Sequence, residues 1–166
     1  MLIPSFLYGS GGNQFTQFAL SIVPDLVSRL DKRRDRVLDL GCGSGVLAIA
    51  CAKLGIERVN ALDISRAALR STRRHAALNG VKVTPMTRLN TRRRYKLVLA
   101  NLPGPALFEY ASRFQANLEP DGVLYTGGFD RSEEARLVAL LYQHGLAIRD
   151  VTYTDGWKTL LWKRLA

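Results

Sequence analysis

The stretch Val37-Leu38-Asp39-Leu40-Gly41-Cys42-Gly43-Ser44-Gly45 constrains this chain more than any other. An apolar run stops at three alternating glycines, and an Ala-rich apolar run, Val46 to Leu54, follows and stops at Gly55. The first run reads as a buried strand and the second as a helix. Glycines between them let the backbone turn tightly and approach a ligand with no Cβ in the way. Such a unit belongs to an open α/β sheet, where ligands bind beyond the carboxyl ends of the strands.

The same alternation runs along the chain. Phe15 to Leu30 repeats apolar residues at three- and four-residue steps, so it reads as a helix bent or split at Pro24. Strands are expected at Arg36–Leu40, Val59–Asp63, Val81–Thr84, Lys96–Ala100 and Gly122–Thr126, the last introduced by the turn Glu119-Pro120-Asp121-Gly122. Helices are expected from Ser65 to Asn79-Gly80, over Pro105–Asn117 and over Ser132–His144. Leu146–Tyr153 and Lys158–Lys163 read as a closing hairpin around Asp155-Gly156. This predicts about seven strands in a mostly parallel α/β sheet covered on both faces, with the last strand antiparallel.

Length and composition set the outer limits. A chain of 166 residues fits a single domain, read as residues 1–166 with a loop and helix over 1–35 and the core over 36–166. Hydrophobic content of 47% with 23% charged residues excludes a disordered or collagen-like chain. No apolar run reaches the roughly 18 residues of a membrane span, and the N-terminus lacks the basic-then-apolar order of a signal peptide. Two cysteines, Cys42 and Cys51, make a weak disulfide case, so a cytoplasmic location is expected. The net charge is +10, and 18 of the 24 basic residues are Arg. An excess of this kind is either a solvated surface or a contact for polyanions such as RNA.

The glycine loop departs from the phosphate-binding patterns. A dinucleotide fingerprint needs Gly at its sixth position, which counted from Gly41 is Val46. Asp39 puts a carboxylate where a pyrophosphate would sit, so the loop suits a ligand that is cationic or neutral at this end. Asp63 follows Gly41 by 22 residues, at the end of the second strand, and an acid there can accept from both hydroxyls of a ribose. The pair therefore suits a nucleoside without phosphates, against the plainer alternative of a tight turn and a helix-capping acid. His75 and His144 read as surface or capping histidines and Cys42 as a small packed residue. No cluster has metal-ligand spacing.

Asp39-x-Gly41-x-Gly43-x-Gly45 followed by Asp63 resembles the class I S-adenosylmethionine-dependent methyltransferases, whose fold is Rossmann-like. VLDLGCGSGVLAIACAKLG, ALDIS, LVLANLPGP and the ending DGWKTLLWKR are similar to the catalytic part of the bacterial enzymes that methylate lysine and N-terminal amines of a large-subunit ribosomal protein. Tyr8-Gly9-Ser10-Gly11-Gly12-Asn13-Gln14-Phe15-Thr16 resembles that family's N-terminal loop, with Asn13 where the family has His. The resemblance implies S-adenosylmethionine as cofactor. It implies Thr16, Asp39, Gly41, Cys42, Gly43, Gly45, Asp63, Ile64 and Asn101 as its contacts, and Asn101, Leu102 and Pro103 as the catalytic segment. Leu102 and Pro103 would supply an apolar slot that favours the neutral, attacking form of an amine.

Departures from the pattern bear on the acceptor. Asn101-Leu102-Pro103-Gly104 is shorter than the family's loop, and Gly104 stands where rRNA adenine dimethyltransferases have an aromatic. Met86-Thr87-Arg88 follows the third strand where an acid near the adenine is expected. The implied partner is a ribosomal protein, with RNA or a small molecule as alternative acceptors, or a non-catalytic basic binding module. The clusters Arg66, Arg70, Arg73, Arg74 and Arg88, Arg92, Arg93, Arg94 are either solvated faces or an RNA footprint.

Overall fold

The computed structural model describes residues 13–90, 92–154 and 157–165. The tract Tyr8–Gly12 and the turn Asp155-Gly156, both read from the sequence, lie outside the described residues. In chain order the elements are α1 (Gln14–Ser28), β1 (Arg36–Leu40), α2 (Val46–Lys53), β2 (Arg58–Leu62), α3 (Arg66–Leu78), β3 (Thr84–Met86) and β4 (Tyr95–Asn101). There follow α4 (Gly104–Asn117), β5 (Leu118–Gly127), α5 (Glu134–Gln143), β6 (Leu146–Thr154) and β7 (Trp157–Arg164).

The strands form one sheet in the order β3-β2-β1-β4-β5-β7-β6. The first five pair in parallel, and β7 lies antiparallel between β5 and β6. This is the Rossmann-like, mostly parallel sheet read from the sequence. The chain leaves β1 toward β2 on one side and later returns to β4 on the other. The carboxyl ends of β1 and β4 therefore flank a switch-point crevice.

Each strand sends alternate residues to opposite faces, so both faces are buried. Val37, Val59, Leu97 and Leu99 pack with Ala19 and Val23 of α1, Leu47 and Ala48 of α2 and Leu69 of α3. Leu38, Leu40, Val98, Leu124 and Trp162 pack with Leu107, Ala111 and Phe114 of α4 and Leu137 and Leu141 of α5. The buried Trp162 indole N–H donates to Thr126 Oγ1 at 2.9 Å, so its burial leaves no orphaned donor. Leu107 has no exposed surface. Leu107→Ala is expected to cost about 2–5 kcal/mol and to lower the melting temperature by roughly 5–15 °C in thermal unfolding.

Most element ends shift by a residue or two from the sequence reading, and three differences have a local cause. The third strand starts at Thr84 rather than Val81, because Gly80 N–H and Val81 N–H are spent closing α3 on the carbonyls of Ala77 and Ala76. Strand β5 begins at Leu118, and the expected turn 119–122 is a bulge within it. Leu118 pairs with Tyr95 and Val123 with Leu97, so four residues of β5 oppose one of β4. The helix expected from Ser132 begins as a 3₁₀ turn over Arg131–Glu133, closed by a capping box between Asp130 and Glu133, before α5 proper. Pro85 sits on β3, the edge strand, where a missing N–H breaks no inner ladder.

Candidate functional site

The loop from β1 to α2 is tied down from below. Gly41 and Cys42 N–H both donate to the Leu62 carbonyl, at 2.8 and 3.0 Å. Thr72 Oγ1 donates to the Gly43 carbonyl at 3.1 Å, and His75 Nδ1 donates to the Ser44 carbonyl at 3.0 Å. His75 is therefore a buried positioning group, not the surface or capping residue expected from the sequence. Its place on the inner face of α3, one turn beyond Thr72, brings it under the loop. His144 caps the end of α5, as read.

Gly41 has φ +70°, and a Cβ there would lie 2.2 Å from the Leu102 side chain. The backbone of the first loop and the segment after β4 thus meet over the glycine. Gly45 has φ +81° and would drive a Cβ into Thr72 at 2.6 Å. It is the residue of the expected ligand set that does not line the cavity, and its role is the close fit of α2 to α3.

The cavity beyond β1, β2 and β4 measures about 510 Å³, within the range of small-molecule sites. The first loop and β1 contribute Asp39, Gly41, Cys42 and Gly43, and the end of β2 contributes Asp63 and Ile64. The end of β4 contributes Asn101, Leu102 and Pro103, and α1 contributes Thr16. Phe15 beside Thr16 and one face of α4, Ala106, Glu109 and Tyr110, were missed by the sequence reading. Their 106, 109, 110 spacing on a helix was the available signal. Asn13, which caps α1 through the Phe15 N–H at 2.9 Å, also reaches the cavity.

The electrostatics of this cavity are one-sided. Among the described residues its lining includes Asp39, Asp63 and Glu109 and not one Lys or Arg, in a chain of net charge +10. Asp63 Oδ2 accepts from Gly43 N–H at 2.9 Å, and Oδ1 accepts from Ser65 N–H at 2.8 Å. Those bonds orient the carboxylate and leave each oxygen a second lone pair for a ligand. Ile64, 85% exposed, offers an apolar rim beside it. Asn101 Oδ1 is buried without a hydrogen-bond partner among the described residues, an acceptor that the fold leaves unspent.

Asp39 is buried, with Oδ2 accepting from Ala48 N–H in the first turn of α2 at 3.0 Å. It thus holds the first turn of α2 and is also part of the cavity. Burial pushes its carboxyl up to about 7, the Ala48 bond opposes this, and the nearby Asp63 charge adds to it. A carboxyl raised in the folded state binds a proton the unfolded chain has released, so stability falls as pH rises from about 4 through 7. Asp39→Asn keeps an acceptor for Ala48 without the charge. Between pH 5 and 8 the variant is expected to gain about 3 kcal/mol relative to the parent, read by urea unfolding. Burial, with the Asp39 charge, also raises the Cys42 thiol far above the ordinary range, so it is a packed residue and no nucleophile. Both cysteines are free. Among the described residues no group of His, Cys, Asp and Glu could hold a metal ion.

A family model described as ribosomal protein L11 methyltransferase (PrmA) matches residues 1–165. The ribosomal protein L11 methyltransferase of Porphyromonas gingivalis is 30% identical over 165 residues, covering 96% of this chain and 56% of the relative. That of Geobacter sulfurreducens is 33% identical over 166 residues, covering 98% and 53%. The chain spans about half the length of the curated relatives it matches. Among solved structures, ribosomal protein L11 methylase from Lactobacillus delbrueckii subsp. bulgaricus superposes with a TM-score of 0.81 at 28% identity, over 94% of this chain and 81% of that one. Magnesium protoporphyrin IX methyltransferase from Synechocystis shares the fold, with a TM-score of 0.67 at 20% identity over 88% and 80% of the two chains.

Proposed function

The chain belongs to the ribosomal protein L11 methyltransferase family, and on that premise we propose that it transfers a methyl group from S-adenosylmethionine to an amine nitrogen of a ribosomal protein. The observation that carries the reading is the cavity's charge: three carboxyl groups and no base suit a ligand bearing a sulfonium and an ammonium, and repel phosphates.

The residues present fit that cofactor. The remaining lone pairs of Asp63 would accept from the ribose hydroxyls, and the exposed Ile64 would lie against the adenine. Gly41 and Gly43 would let the backbone approach the amino-acid end, and Asp39, Cys42 and Thr16 line the same cavity. When bound, the cofactor supplies an electrophilic methyl on a positive sulfur, so the protein's part is orientation and desolvation. Orientation alone is worth roughly 7–11 kcal/mol of barrier.

An amine attacks only when neutral, and a lysine in water holds its proton to about pH 10. Leu102, Pro103, Phe15 and Tyr110 make the acceptor side of the cavity apolar, which favours the neutral amine. The unpartnered Asn101 Oδ1 accepts from an amine N–H and aims its lone pair. Glu109, exposed at the mouth, draws an incoming ammonium and offers a route for its proton. RNA is a poor acceptor for this pocket, because its phosphates would meet the same carboxylates. A cytoplasmic location follows from the reading. No described helix is long and apolar enough to cross a membrane.

The test is transfer from methyl-labelled cofactor to a ribosomal extract containing the proteins and RNA. Label on a protein amine is the expected result. Label confined to RNA or to small amines would overturn the reading.

A further inference from the structure

The positive charge of this chain is not spread over it. Between Asp63 and Glu109 there are ten Lys and Arg and no Asp or Glu, while the rest of the chain holds fourteen of each. The whole excess of +10 is carried by α3, the segments before and after β3, and Lys96 at the start of β4.

The fold gathers most of these residues at one border of the sheet, while Lys96 lies on inner strand β4, paired with Asp121. On α3, Arg66, Arg70, Arg73 and Arg74 fall within an arc of roughly 100° at 3.6 residues per turn. They lie opposite the buried Ala68, Leu69, Thr72, His75 and Ala76. All four are exposed, and none is in an ion pair among the described residues. Strand β3 is the sheet's edge, with exposed Lys82 just before it and exposed Arg88 and Arg92 after it. α3 packs on the face of α1 and α2, whereas Leu89 packs on the face of α4 and α5. The basic residues therefore border the edge from both sides.

We propose that this β3 edge is a docking surface for duplex RNA, gripped through its phosphates. Eight of the ten cations are Arg, whose planar fork matches phosphate oxygens. No exposed aromatic interleaves with them, since Tyr95 is buried, so the surface lacks the stacking platform that single strands need. A short edge strand closed by Pro85 offers no ladder to a partner strand, which leaves charge as its means of contact. The choice of RNA over DNA rests on the ribosomal reading of the function. The docked RNA is not the acceptor, because the neighbouring cavity repels phosphate.

The experiment is fluorescence anisotropy of the full chain with a labelled 20-base-pair RNA duplex, without cofactor, from 50 to 400 mM KCl. Four phosphate contacts predict a log–log salt slope of about −3 to −4, and hence about a hundredfold weaker binding at 200 than at 50 mM. Arg70→Ala/Arg73→Ala/Arg74→Ala should weaken binding at least tenfold and flatten the slope by about 3. Arg33→Ala/Arg34→Ala, in the connection before β1 and paired to Glu57 and Asp31, should change it less than twofold. Circular dichroism confirms that both variants fold. Absence of saturable binding at 50 mM, or equal loss in the two variants, would overturn the proposal. So would tighter binding to DNA, or displacement by polyglutamate as readily as by RNA. Since the assay needs neither cofactor nor acceptor, its failure leaves the methyl-transfer reading standing, and absence of methyl transfer leaves the phosphate grip standing and removes only the argument for RNA over DNA.

Discussion

Asp63→Ala is expected to leave a folded chain with at least a hundredfold weaker binding of S-adenosylmethionine and its demethylated product, read by titration calorimetry. Two charge-assisted hydrogen bonds to ribose hydroxyls are worth about 1.5–3 kcal/mol each, and the substitution removes both. It also removes the acceptor of Gly43 and Ser65 N–H, which loosens the loop that the cofactor must meet. Asp63→Asn separates these effects. It keeps one oxygen acceptor but loses the charge and gains donors, so its affinity should fall between the two. Unchanged affinity in Asp63→Ala would remove the cofactor from this cavity.

Asn101→Ala is the complementary case. Turnover is expected to fall about 10²–10³-fold, the range seen when one preorganised polar group at a reacting centre is deleted. The acceptor's KM and the cofactor's affinity should move far less. Stability should not fall, because Asn101 Oδ1 is buried without a partner and its removal breaks no bond of the fold. A drop in melting temperature with turnover intact would show the reverse, an amide serving the fold alone. Those two results together would divide the cavity into a cofactor end at β2 and an acceptor end at β4.

Much of this site was legible in the chain because its chemistry sits at strand ends. A run of buried residues stopping at Gly41 announces both the end of β1 and the loop beyond it, and Asp63 ends β2 in the same way. Asn101 needed only the apolar run KLVLA to place it at the end of β4. Of the residues that reach the cavity from a helix, Thr16 came from the family resemblance, and those of α4 were not announced. Glu109 and Tyr110 look like surface positions until α4 is laid against the sheet. The third strand was misplaced because the hydrogen bonds that stop α3 reach one residue beyond its terminal glycine.

Local residue order and charge determined the strand–loop–helix unit, the acid pair and the concentration of cations between Asp63 and Glu109, since each is a property of neighbouring residues. Only the tertiary structure decided that His75 and Thr72 hold the loop from beneath, that Gly45 serves α3 and not the cavity, and that the cationic segment borders the sheet's edge while three carboxyl groups converge beside it. Those outcomes depend on which helix packs on which face and on the strand order, and hydrophobic periodicity records burial without recording the partner.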